Sequence, residues 1–230
     1  MSARSLHASA REALQNWDAD SDDAESLRHT MLAFLDSAPD GCLRSHAPGH
    51  ITASSLVLDE DGRHVLLTLH PRVGRWIQLG GHCEPGDETV VDAALREARE
   101  ESGIEGLRIE PRMLSAHTHP ITCSLGVPTR HLDLRFLVTA PGPASEVPIT
   151  ISDESQDLRW FPLDDLPEVP RRRRSIIWRS APVRLFGSGN YRKGARAAKP
   201  PTPAASPRWP RPHRRRRCRG PSRPAASPRR

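Results

Sequence analysis

At 230 residues the chain has room for one domain with a full hydrophobic core plus additional segments, and it does not require two. Its formal charge of +6 hides a division. Of the 34 basic residues, 20 fall in 171–230 together with none of the 28 acidic ones, so residues 1–170 keep 14 basic residues and carry −14. Cys42, Cys83, Cys123 and Cys218 are too scattered for a disulfide framework, and no apolar run approaches the ~20 residues of a membrane span. The N-terminus lacks the apolar core of a signal peptide, which leaves a soluble, cytoplasmic protein as the expectation.

Residues 1–47 read as a helical N-terminal extension, with Ser21 as N-cap, Asp22 and Asp23 in the first turn, and Leu27, Met31, Leu32 and Leu35 at helical spacing. Pro39, Asp40 and Gly41 end that pattern. ITASSLVLD and HVLLTLH then read as strands, joined in a hairpin by Glu60, Asp61 and Gly62, and RWIQL at 75–79 as a third strand that stops at Gly80 and Gly81. Thr89 to Ser102 has helical periodicity, with Thr89 as N-cap, an apolar stripe of Val91, Ala94, Leu95 and Ala98, and Gly103 as the stop. Further strands are expected around 107–117, 130–139 and 157–161, with a proline-rich loop at 141–148. Mixed strands with few helices predict an α/β or α+β sandwich around one core, without internal repeats.

The stretch GGHCEPGDETVVDAALREAREESGI at 80–104 carries the chemistry. On a helix Glu97, Glu100 and Glu101 stand at i, i+3 and i+4, so their carboxylates share a face and repel. A hard cation such as Mg²⁺ or Mn²⁺, which prefers oxygen ligands and bridges to phosphates, is a natural reason for that spacing. The glycine-containing loop before the helix lets backbone approach the same place.

This stretch resembles the signature of the Nudix hydrolase superfamily, Gx₅Ex₇REUxEExGU with U aliphatic. Gly81 matches the first glycine, Arg96 and Glu97 the RE, Ala98 the U, Glu100 and Glu101 the EE, and Gly103 and Ile104 the closing GU. Gly81 and Arg96 are one residue further apart than the pattern, so the motif glutamate is Glu88 counted back from Arg96 or Asp87 counted forward from Gly81. The resemblance covers residues 48–168 and implies an α-β-α sandwich with a mixed sheet. It implies Glu97, Glu100 and Glu101 as metal ligands, the Gly80 carbonyl as a further one, and Arg96 holding the loop through Glu88 or Asp87. It also implies water attack on phosphorus in a nucleoside diphosphate derivative, with Mg²⁺ or Mn²⁺ as cofactor. Glu100, Glu101 and Glu154, the last on a late loop, are the catalytic candidates. A Nudix-fold sensor that binds nucleotide without cleaving it is the alternative.

HLDLRF at 131–136 alternates, placing His131, Asp133 and Arg135 on one strand face as a substrate-side row. His82, Cys83, His117, His119 and Cys123 lack a recognised zinc spacing, and His131 reads as structural or substrate-contacting rather than metal-ligating. Trp76 and Trp160 read as core or pocket wall. Residues 169–230 read as a disordered Arg- and Pro-rich tail. It is either an arm with non-specific affinity for nucleic acid or a GC-rich gene read out of frame; with only Lys193 and Lys199 as lysines, the second is favoured.

Overall fold

A computed structural model describes residues 3–72, 74–122, 126 and 128–167. The basic tail at 169–230, with the disorder and nucleic-acid affinity expected of it, lies outside the described residues, as do Cys123 and Cys218.

The first hairpin forms where the sequence places it. Strands β1 (His50–Leu58) and β2 (His64–His70) pair antiparallel, Val57 opposite Leu66 and Leu58 opposite Val65. The buried Asp59 side chain accepts from the amides of Arg63 (2.8 Å) and His64 (3.0 Å), while Gly62 takes the positive φ of 64° that closes the turn. The expected strand at 75–79 is two. β3 (Arg75–Ile77) pairs with β2, whereas β4 (Leu79–His82) crosses to pair with β1, with Gln78 at the change of partner. Gly80 and Gly81 therefore lie inside a strand rather than ending one. At φ 143° only glycine fits position 80, because a Cβ there would stand 2.5 Å from the Ser54 Cα.

β5 (Arg108–Thr122), β6 (Pro128–Thr139) and β7 (Asp157–Pro162) complete a mixed sheet of order β3-β2-β1-β6-β5, with β4 on β1 and β7 on β2. β1 and β6 run parallel, and the remaining pairs antiparallel. With three helices among the described residues this is the expected α+β class.

Helices α1 (Ala3–Gln15), α2 (Asp22–Ser37) and α3 (Val90–Ser102) share one core with the sheet. Leu6, Leu14, Met31 and Leu35 pack in the cluster that also holds Ile51, Ala53, Val90, Leu134 and Phe136. α1 and α2 thus bury their apolar faces in the same cluster as the sheet. The Ser9 Oγ accepts from the Val90 amide (2.9 Å), so α1 also satisfies a donor at the start of α3.

α3 begins at a capping box between Thr89 and Asp92 and ends at Gly103, whose φ of 65° allows its amide to reach the Arg99 carbonyl. Its buried face is Val90, Ala93, Ala94, Glu97, Ala98, Glu101 and Ser102. Val91 and Leu95, expected in the stripe, sit at its margin because two glutamates occupy the centre. The opposite sheet face carries Leu58, Val65 and Leu67 with Trp76, Phe161 and Leu163, and Trp76 meets Phe161 edge-on at 4.8 Å. No helix of the described residues is long and apolar enough to cross a membrane.

Candidate active site

Capped at both ends, α3 presents Glu97 and Glu101 to β4, each with 9 % exposure, and leaves the Glu100 side chain 59 % exposed. The backbone of β4 fits closely against them. A Cβ on Gly81 would lie 2.6 Å from a Glu97 carboxylate oxygen, and the Gly80 amide donates to Glu101 Oε2 at 3.4 Å. Removal from water pushes the Glu97 carboxyl up to about 7 and that of Glu101 to about 8; the Glu97 charge raises Glu101 further, and Glu100 and Glu154 add to both. Arg96 beside Glu97 pulls the other way. Two desolvated carboxylates, and a glycine cradle that a Cβ would fill, suit a hard divalent cation.

Arg96 gathers the loop before the helix. Its Nε and Nη2 donate to the two Asp87 oxygens (3.0 and 3.1 Å), Nη2 also to the His82 carbonyl (2.9 Å), and Nη1 to Glu97 (3.1 Å) and Glu100 (2.8 Å). Asp87 closes the loop by accepting from the Glu84 amide at 2.7 Å. Of the two candidates, Glu88 and Asp87, Arg96 holds Asp87. The added residue lies between Asp87 and the Thr89 cap, and this displaces Glu88 into solvent.

A polar pocket opens beside Glu101, with Gly80, Gly81 and His82 on its wall, Thr52, Ser54 and Asp133 on its floor, and Glu154 at its edge. Glu154 is exposed, and its loop is tied to β2 by Ser155 Oγ and Thr68 Oγ1 (2.5 Å) and by the Gln156 amide on the Leu69 carbonyl (3.0 Å). Asp133 is buried and accepts from Ser54 Oγ (2.6 Å), Thr52 Oγ1 (3.1 Å), Gln78 Nε2 (3.4 Å) and Arg135 Nε (2.8 Å). Of the expected row, His131 and Asp133 line the pocket, but Arg135 does not. At 7 % exposure it is a buried partner of Asp133, because a lone carboxylate at that depth needs a nearby cation. His131 packs against the rings of His50, His82 and His119. Desolvation brings His82 down to about 4 and His131 to about 3, so both are neutral at pH 7.

The NUDIX domain family model matches residues 48–179. The chain belongs to the Nudix family. Among curated relatives, an NAD-capped RNA hydrolase NudC of Stutzerimonas stutzeri is 34 % identical over 134 residues, 57 % of this chain and 43 % of the relative. One of Pseudomonas aeruginosa is 31 % identical over 130 residues, 56 % of this chain and 42 % of the relative. The chain thus spans less than half the length of these relatives. A NUDIX-family hydrolase structure from Clostridium perfringens shares 23 % identity with a TM-score of 0.37, over 51 % of this chain and 83 % of that one.

Within this Nudix site, sequence reading missed His50, Thr52 and Ser54. Their signal was present as the alternation H-x-T-x-S, which places all three on one face of β1.

Proposed function

We propose that this Nudix chain hydrolyses a diphosphate linkage in a nucleoside diphosphate derivative. Glu97, Glu100 and Glu101, with the Gly80 carbonyl, would hold a divalent cation, Mg²⁺ or Mn²⁺. The observation that carries this reading is the pair of desolvated glutamates facing glycine backbone at the side of a polar pocket. When bound, such a cation neutralises charge on the diphosphate and acidifies a coordinated water. The relatives named as NAD-capped RNA hydrolases support a substrate with a nucleotide joined through a diphosphate.

The chain's own residues have distinct parts. Arg96 fixes the carboxylates of Glu97 and Glu100, so both are preorganised before substrate arrives. Glu154, which lines the pocket together with Glu101, would take the proton of the attacking water, and Glu101 is the second candidate for that role. His131 and Asp133 stand on the substrate side. One phosphorus–oxygen bond forms to water while the anhydride bond breaks, and the leaving phosphate carries away the electron pair. Buried, unpaired Cys42 and Cys83 fit a reducing compartment such as the cytoplasm.

The test is a panel of NADH, ADP-ribose and dinucleoside polyphosphates with Mg²⁺, Mn²⁺ or chelator, read by chromatography of the products. Cation-dependent release of a nucleoside monophosphate is expected for at least one compound. Glu101→Gln should abolish turnover, while Glu154→Gln should lower it at unchanged cation affinity. Nucleotide binding without any turnover would replace the hydrolase with a sensor.

A further inference from the structure

On the pocket side of the sheet three adjacent strands bring histidines together. His50 on β1 is in register with His131 on β6, and Thr52, two residues on, is in register with His82 on β4. The three rings lie at centroid separations of 5.0 to 5.1 Å, and one nitrogen from each lies within 4.8 Å of the others. His50 is 1 % exposed, and its Nδ1 lies 3.3 Å from the His46 carbonyl. That contact makes Nδ1 the donor and leaves Nε2 as the lone-pair nitrogen, the arrangement by which metal-ligating histidines are oriented. The Nε2 atoms of His50 and His131 are both buried without a hydrogen-bond partner. A buried polar atom left unsatisfied is costly, and here two occur side by side.

We propose that His50, His82 and His131 form a second cation site, separate from the glutamate face, that binds a borderline transition-metal ion of the Zn²⁺ class. Imidazole nitrogens select such ions, whereas Mg²⁺ requires oxygen ligands. Zinc–nitrogen bonds of about 2.0–2.1 Å place tetrahedral ligands about 3.4 Å apart, so modest ring rotations close the present spacing. The pocket reaches His82 and His131, and a fourth ligand, water or a substrate oxygen, has access from there. The proposed site departs from the expectation that His131 is structural or substrate-contacting. The site does not depend on the hydrolase reading.

The experiment uses the full, tag-free chain in excess Mg²⁺, added to compete for any oxygen-ligand site such as the glutamate face. Titration with Co²⁺ should give the intense visible bands of a four-coordinate ion at one equivalent, and Zn²⁺ should displace it stoichiometrically. His82→Asn and His131→Asn, with folding checked by circular dichroism, should each weaken Zn²⁺ binding by at least about 100-fold, more than loss of an outer-shell partner does. Glu101→Gln should retain the bands. X-ray absorption of the Zn²⁺-loaded wild-type chain counts imidazoles independently of any variant. Bands that survive His131→Asn, a thiolate charge-transfer band, a weak six-coordinate spectrum lost in Mg²⁺, or fewer than three imidazoles would each overturn the site.

Discussion

Arg96 holds Asp87 through both carboxylate oxygens, at 3.0 and 3.1 Å, while Glu88 next to it stands in solvent. Asp87→Ala removes two charge-assisted hydrogen bonds and releases the loop, so a loss of about 2–3 kcal/mol is expected in denaturant unfolding. Glu88→Gln should stay within about 0.5 kcal/mol of wild type. Equal effects of the two substitutions would return the pairing to an open question of register.

The two glycines of β4 should fail in different ways. Gly80→Ala forces an L-residue to φ 143° and sets its Cβ against the backbone of Ala53 and Ser54, so thermal stability should fall by on the order of 1–3 kcal/mol or more. In Gly81→Ala the three atoms nearest the new methyl all belong to the Glu97 carboxylate, which can turn away. That variant should melt near wild type yet lose divalent-cation affinity and turnover, as titration calorimetry and product assay will show. Normal turnover of Gly81→Ala would separate Glu97 from the chemistry.

Linkage between pH and stability gives a third prediction. Glu97 and Glu101 have folded pKa values of about 7 and 8, above the ordinary 4.5, so their contribution is complete below about 4.5 and is lost as pH rises through 7 to 8. His82 and His131, depressed to about 4 and 3, act oppositely, losing stability only as pH falls below their ordinary 6.5. Between pH 7 and 9 the glutamates therefore dominate. Melting temperature in chelator should decline over that range, and the gain on adding Mg²⁺ should grow with pH. A gain independent of pH would mean that Mg²⁺ acts elsewhere.

A fourth prediction concerns the N-terminal helices. Leu14→Ala opens a cavity in the shared core, where such truncations cost about 2–5 kcal/mol, and deletion of residues 1–47 should yield an insoluble or molten chain. A soluble, cooperatively melting 48–230 fragment would restore those residues to the status of an appendage.

These particulars show how far the sequence was legible. Local chemistry could be read directly: Ser21 and Thr89 as caps, Gly103 as a stop, and Glu60-Asp61-Gly62 as a hairpin turn all rest on one or two residues. The glutamate triad was equally visible, since helical spacing alone puts Glu97 and Glu101 together. What could not be read was the exchange of strand partners at Gln78, because β3 and β4 differ only in which distant strand they meet. The same holds for Arg135, whose alternation correctly gave its face, but whose depth is set by neighbours on other strands. The histidine cluster likewise needs the register between β1, β4 and β6, which no local pattern encodes.

The parallel pairing of β1 with β6 has a kinetic consequence. Thr52 finds its partner Asp133 across 81 residues of chain, and the floor of the pocket cannot form until that long loop has closed. Loop-closure entropy must be overcome before these contacts repay it, which slows assembly relative to a domain of local hairpins. During biosynthesis β1 emerges long before β6, so its apolar residues Ile51 and Ala53 wait without their final neighbours. The early helices α1 and α2 pack in the same cluster and are already synthesised when β1 emerges, so they offer those residues apolar cover before β6 exists.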